Sequence, residues 1–137
     1  MRFLHIVVSL FLFSCSNEPN QEQIDTINAY IQEQLNVEYQ EPDFSHAYKE
    51  GLLKDESIED AKIRVKKMYQ DIREYHLELK ERPFNEQRDL IVPILKSQIE
   101  LYEKTLAKHF ELRPTEPPLT LINLLEQRRK WLKILKG

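Results

Sequence analysis

Glycine and cysteine are scarce in this 137-residue sequence, which has two glycines and one cysteine. So little glycine argues against the tight turns and phosphate-cradling loops that require a positive φ. The single cysteine, Cys15, excludes an intramolecular disulfide, so packing alone has to stabilise the fold. Leu, Ile, Glu, Gln and Lys are abundant instead, and this composition is typical of helices.

The longest apolar run covers residues 3–13 and follows one positive residue, Arg2. At 1.5 Å per residue a helix of this length spans ~16 Å, about half the ~30 Å hydrocarbon core of a bilayer. The run is therefore too short for a stable membrane span. A short apolar run behind a positive residue is typical of an export signal.

The run ends in Leu12-Phe13-Ser14-Cys15, which resembles the lipobox of bacterial lipoprotein signal peptides. The resemblance implies diacylglycerol on the Cys15 thiol, cleavage after Ser14 and acylation of the new amino group. Phe13 departs from the pattern, which usually has a small residue there. The alternative is an ordinary cleaved signal that leaves Cys15 as an incidental thiol.

The resemblance also predicts the organisation and location of the chain. We expect a signal peptide over residues 1–14, a lipidated Cys15 with a polar tether over 15–21, and a helical domain over 22–137. The protein would then be held in the bacterial cell envelope by its lipid. Ser16 stands where an aspartate often signals inner-membrane retention in enteric bacteria, which favours the outer membrane.

Helical periodicity begins directly after the tether. Apolar residues at 3-4-4 spacing predict a first helix over 21–37, and Glu41-Pro42-Asp43 ends it. In the ambiguous stretch 43–53, Asp43 is positioned to cap a short helix and Gly51 to end it.

The next helix has the clearest pattern in the chain. Ser57 is a good N-cap, and seven residues then follow alternating 3-4 spacing: Ile58, Ala61, Val65, Met68, Ile72, Tyr75 and Leu79. This coiled-coil-like seam predicts another helix covering it. Pairs Asp60–Arg64 and Glu78–Arg82 have the i,i+4 spacing of ion pairs.

Two further helices complete the prediction. If Asn85 caps the third helix, Pro93 lies in its interior and kinks it; if Asp89 is the cap, Pro93 lies in the first turn. The first alternative is preferred, because Glu86 and Gln87 already indicate a helix start. The fourth helix follows Pro117-Pro118. Short connections then predict an all-α fold, a three- to four-helix antiparallel bundle with a coiled-coil-like helical hairpin.

Charge is distributed unevenly along the chain. Residues 16–60 have twelve acids against Lys49 and Lys54, whereas residues 61–137 have seventeen bases against eleven acids. The first interpretation is internal, an acidic segment packed on basic helices. The second is a basic surface for an anionic partner, and its candidate residues form a basic face on the last helix: Arg129, Lys130, Lys133 and Lys136. The same segment fits either a core helix or an interfacial helix on anionic lipid, and Trp131 on its apolar side favours the core.

No pattern indicates catalysis or a metal site. HExxH and CxxC are absent, and His76 and His109 are predicted to lie ~24 Å apart along antiparallel helices. The serines lack a glycine-flanked nucleophile elbow. We therefore expect no enzyme, no metal and no cofactor beyond the covalent lipid on Cys15, and no nucleic-acid partner for an exported acidic protein.

A short segment of the last helix resembles a motif of another family. Leu119-Thr120-Leu121-Ile122-Asn123 is similar to the LTxxQ-type motif of the Spy/CpxP-like periplasmic proteins, with Asn in place of Gln. A second segment, Phe84-Asn85-Glu86-Gln87-Arg88, is similar to the same motif but is one residue too short. The resemblance implies an envelope chaperone or stress-sensing protein.

Three functions remain in view from the sequence. The leading hypothesis is a non-enzymatic lipoprotein that binds a protein partner through its helices. The alternatives are a Spy/CpxP-like chaperone or stress sensor, and an inhibitor or immunity lipoprotein.

Overall fold

The structure is a computed structural model that describes residues 18–137. Five helices make up this part of the chain: α1 (Gln21–Leu35), α2 (Phe44–Lys49), α3 (Ile58–Lys80), α4 (Phe84–Leu112) and α5 (Leu119–Lys136). It contains no strand, so the predicted all-α helical bundle is confirmed. The described residues divide into two compact units, one with the chain up to Ile27 and Phe84–Gly137, the other with Asn28–Pro83.

In the first unit, α4 and α5 pack as a helical hairpin. Ile91 and Leu95 of α4 are completely buried, and so, nearly, are Leu125 and Leu135 of α5. Burying a side chain of this kind stabilises a fold by about 1.5–3 kcal/mol before entropy is counted. Trp131 is also buried, so the core interpretation of the last helix is correct.

The first turn of α1 is held by a reciprocal cap. The backbone N–H of Gln23 donates to Asn20 Oδ1 at 2.8 Å, and the N–H of Asn20 donates to Gln23 Oε1 at 3.3 Å. This is the capping-box arrangement, with Asn20 in place of the usual Ser or Thr. The Gln23 side chain also donates to the carbonyl of Ile134 at 3.3 Å. The start of α1 is therefore attached to the last turn of α5.

Helix α4 runs without interruption through Pro93. It begins at Phe84, one residue before the predicted cap Asn85. Pro93 therefore lies in the helix interior, as in the preferred alternative, but the helix begins before Asn85, so Asn85 is not its cap. Its ring nitrogen has no hydrogen to donate to the Asp89 carbonyl, so one helical hydrogen bond is lost there.

In the second unit, the two predicted N-caps are present. Asp43 accepts from the N–H of His46 at 3.0 Å, and Ser57 accepts from the N–H of Asp60 at 3.1 Å. Between them Gly51 adopts φ 71°, the left-handed conformation that suits a residue ending a short helix. Helices α2 and α3 pack through a small core of Phe44, Leu53 and Ala61.

Two expectations for α3 are wrong. The seam is not covered along its length: Ala61 and Leu79 are buried, but Met68 and Ile72 are 50% and 47% exposed. The i,i+4 pair Glu78–Arg82 forms at 2.6 Å, as predicted. Arg64, however, pairs with Glu56 at 2.9 Å rather than with Asp60. The loop before α3 brings Glu56 within reach of two guanidinium nitrogens of Arg64. Two charged hydrogen bonds favour Glu56 over the exposed Asp60 as the partner of Arg64.

Candidate interaction surfaces

The predicted lipidation site, Cys15, and the lipobox lie outside the described residues. No helix within 18–137 combines the length and hydropathy needed to cross a bilayer. The described chain begins at Glu18, which lies against the first unit. Glu18 and Pro19 line a recess of about 390 Å³ together with Arg88 and Gly137. We call this place the entry end.

The four residues of the basic face are all exposed on α5. They do not have the same surroundings. Arg129 donates to Glu103 of α4 at 3.0 Å and is thereby neutralised. For Lys130, Lys133 and Lys136, no carboxylate lies within ion-pair distance among residues 18–137. The structure therefore leaves three adjacent uncompensated positive charges on the last two turns of α5.

Arg128 is a residue that the sequence analysis missed. It is only 2% exposed, and its Nε donates to Gln98 Oε1 at 2.7 Å. Its guanidinium also lies over the ring of Trp131, 4.8 Å from the ring centroid. The guanidinium thus belongs to the core between α4 and α5. Spacing gave a usable signal, because Arg128 falls at the helical interval between the apolar Leu125 and Trp131.

An exposed apolar surface lies on α3. Met68, Ile72 and Tyr75, which we call the apolar ridge, are 50%, 47% and 39% exposed. Their 4-3 spacing puts them on one face of the helix. Single exposed apolar residues are ordinary, whereas contiguous ones mark interaction sites. The ridge is the exposed middle of the heptad seam.

Beside the ridge, α1 and α3 share a buried polar pair. Tyr30 is 1% exposed, and its hydroxyl lies 3.0 Å from His76 Nε2. His76 Nδ1 lies 2.7 Å from the carbonyl oxygen of Ile72. A carbonyl can only accept, so we assign a hydrogen to Nδ1; in that tautomer Nε2 accepts from the Tyr30 hydroxyl. His76 therefore has a structural role, because it joins α3 to α1 through Tyr30. The sequence analysis assigned His76 no role.

A second tyrosine of the same unit has a different environment. The Tyr39 hydroxyl is buried and has no hydrogen-bond partner. Its ring packs edge-on against Tyr69, with centroids 5.2 Å apart. Burial of the hydroxyl, and then the neighbouring charge of Glu41, raise the pKa of Tyr39 above its usual 10.0. Tyr39 therefore stays neutral at physiological pH.

Two further titratable side chains, His109 and Glu56, take part in contacts near helix ends. In the part of the chain that the structure describes, no group of three His, Cys, Asp or Glu residues is positioned to hold a metal ion. The ring of His109 contacts the backbone carbonyl of Glu116 at 2.6 Å. Arg64 hydrogen-bonds Glu56 and holds the pKa of that carboxyl below its usual 4.5. Both contacts are local to their own helix ends.

Comparison with known proteins adds no family. No protein-family model, curated protein or solved structure matches this chain.

Proposed function

We propose that this chain is a lipid-anchored protein of the bacterial envelope that acts by binding a helix of another protein. Cys15 carries the lipid, and the outer membrane is the expected location. The lipobox pattern supports the anchor, and the absence of catalytic sequence motifs supports a binding role. The observation that carries the binding role is the apolar ridge on α3.

A helix is the occupant that best fits the ridge. Met68, Ile72 and Tyr75 continue the 3-4 spacing of a coiled-coil seam, and that spacing matches the side chains of a second amphipathic helix. Each of the three is only about half exposed, so the structure already restricts its side chain before a partner binds. Preorganised side chains lose less entropy on binding. The ridge therefore presents an ordered row of apolar side chains to an incoming helix.

Site-specific photo-crosslinking tests this function. A photoreactive amino acid at Ile72 of the full chain, expressed in cells, should form a covalent adduct with an envelope protein, and the crosslinked peptide should be an amphipathic helix. Ile63 is the matched control, because it is an isoleucine of α3, is 67% exposed and lies off the ridge. It should give no such adduct. Equal adducts at Ile72 and Ile63 would contradict the proposal.

The same experiment separates the alternatives that the exposed ridge also allows. One stoichiometric adduct indicates a dedicated partner, as for an inhibitor or immunity lipoprotein. Many adducts with unfolded chains would instead favour the chaperone function, since such a protein binds apolar segments of many sequences. The anchor is tested separately: Cys15→Ser should leave the protein unlipidated and release it from the membrane fraction.

A further inference from the structure

The basic face lies at the same end of the first unit as the entry end. Gly137 directly follows α5 and lines the recess that contains Glu18 and Pro19. The side chain of Gln23 is hydrogen-bonded to the Ile134 carbonyl. Two separate contacts thus fix the beginning of the described chain at the last turn of α5, where Lys133 and Lys136 are located.

The charge at this end is positive. Lys130, Lys133 and Lys136 are exposed, without an ion-pair partner in the described part of the chain. Of the other charged residues at the entry end, Arg88 lies 3.8 Å from Asp89, so that pair is close to neutral. Glu18 is the one further acidic side chain that lines the recess. The three lysines still outnumber the carboxylates of Glu18 and of the terminal residue Gly137, so the surface is net positive.

We propose that the basic face binds the headgroups of an anionic bilayer, namely the membrane that holds the lipid of Cys15. This inference rests on the proposed lipid anchor. Cys15 precedes Glu18 by three residues, and three residues span at most ~11 Å. That reach is comparable with the ~8 Å Debye length at physiological ionic strength. The anchor consequently holds the lysines where the surface potential of the bilayer still acts on them.

The binding is peripheral and electrostatic. Near the end of α5, Trp131 and Leu135 are buried and Leu132 and Ile134 are partly buried, so these four apolar side chains are not exposed for insertion between lipids. Each lysine near an anionic membrane surface contributes on the order of 1 kcal/mol. It therefore shifts the equilibrium towards the orientation with the basic face on the membrane by a factor of about five. Three lysines together favour the orientation with the basic face on the membrane by about a hundredfold at low salt.

Lysine footprinting of the anchored protein tests the proposal. The full lipid-bearing chain, purified from membranes, is reconstituted into vesicles of phosphatidylcholine alone or mixed with phosphatidylglycerol. It is then labelled sparingly with an amine-reactive reagent, and each lysine is read by mass spectrometry. On phosphatidylglycerol vesicles the labelling rates of Lys133 and Lys136 should fall by about tenfold or more, given the contributions above. High salt should restore them, because it screens the attraction.

Lys108 is the matched control. It is exposed, has no carboxylate partner within residues 18–137, and lies on α4 about 30 Å along the helix from Arg88. Its labelling should be the same on both kinds of vesicle. In a Lys133→Gln/Lys136→Gln variant, the remaining Lys130 should lose its protection, whereas Lys108→Gln should leave that protection intact.

Each outcome decides between defined alternatives. Equal labelling of the three lysines on both vesicles overturns the membrane assignment. Protection that needs added envelope protein, on either vesicle, assigns the basic face to a protein partner instead. The N-terminal peptide from the same digest reports the anchor: an unmodified thiol there refutes the proposed lipidation, whatever the lysines show.

Discussion

Removal of one hydroxyl group, in Tyr30→Phe, tests the assignment of the buried pair in the second unit. The variant keeps the ring, which is 1% exposed, and takes away the donor that lies 3.0 Å from His76 Nε2. His76 is 5% exposed, so water has little access to the nitrogen left behind. The second ring nitrogen already contacts the Ile72 carbonyl at 2.7 Å and cannot exchange roles without losing that bond.

The expected cost follows from this geometry. A buried acceptor that loses its partner costs about 1–3 kcal/mol. We therefore expect the free energy of unfolding of Tyr30→Phe to fall by about 2 kcal/mol. When both partners of a hydrogen bond are replaced by apolar groups, the loss of that bond changes the free energy of unfolding little. In a His76→Leu background, Tyr30→Phe should accordingly cost much less, and the two changes should be non-additive.

Tyr39→Phe is the matched control, since it removes a hydroxyl from another tyrosine of the same unit. The Tyr39 hydroxyl is buried without a partner. Its removal should leave stability unchanged or raise it by up to about 1 kcal/mol, because an unpaired buried polar group is unfavourable.

Urea unfolding followed by far-ultraviolet circular dichroism compares four variants with the parent chain: Tyr30→Phe, His76→Leu, the double variant and Tyr39→Phe. The reasoning is refuted if Tyr30→Phe and Tyr39→Phe change the free energy of unfolding equally, or if Tyr30→Phe costs as much when His76 is already leucine.

Three further predictions concern single side chains. Arg128→Ala should lower the free energy of unfolding by about 2–4 kcal/mol, because a buried charged hydrogen bond, an aromatic contact and packing are lost together. Arg129→Ala removes an exposed ion pair and should cost at most about 1 kcal/mol. Urea unfolding compares the two variants. The pKa of Glu56, measured by NMR, should lie below 4.5 and rise towards it in Arg64→Gln; because the folded-state pKa is lowered, this interaction stabilises the fold above pH 4.5 and is lost as the pH falls through the folded-state value. Ser57→Ala removes the N-cap of α3 and should cost about 1 kcal/mol, measured by the same unfolding assay.

The elements of this fold are predictable because its helices follow local rules. The caps Asp43 and Ser57 form as expected, since each side chain needs only a backbone N–H three residues away. Pro93 lies in a helix interior because the residues before it already start the helix. In each of these cases the deciding residues lie within about three turns of the residue concerned.

The interaction surfaces depend on contacts distant in sequence, and there the sequence was less informative. Arg128 reads as one cation among several, but its hydrogen bond to Gln98 crosses thirty residues and makes it part of the core. Arg129 was a candidate residue of the basic face, but Glu103 of the neighbouring helix neutralises it. The seam of α3 has the right spacing throughout, and only three-dimensional packing decides that Met68 and Ile72 stay exposed.

The central claim is that a lipid on Cys15 holds this helical protein at a membrane, and the mass of the mature N-terminal peptide tests it most directly. For protein recovered from the membrane fraction, the account predicts a peptide that begins at Cys15 and carries diacylglycerol on the thiol, with or without a further acyl chain on the amino group. A peptide with a free Cys15 thiol, or one that begins at a different residue, would contradict it.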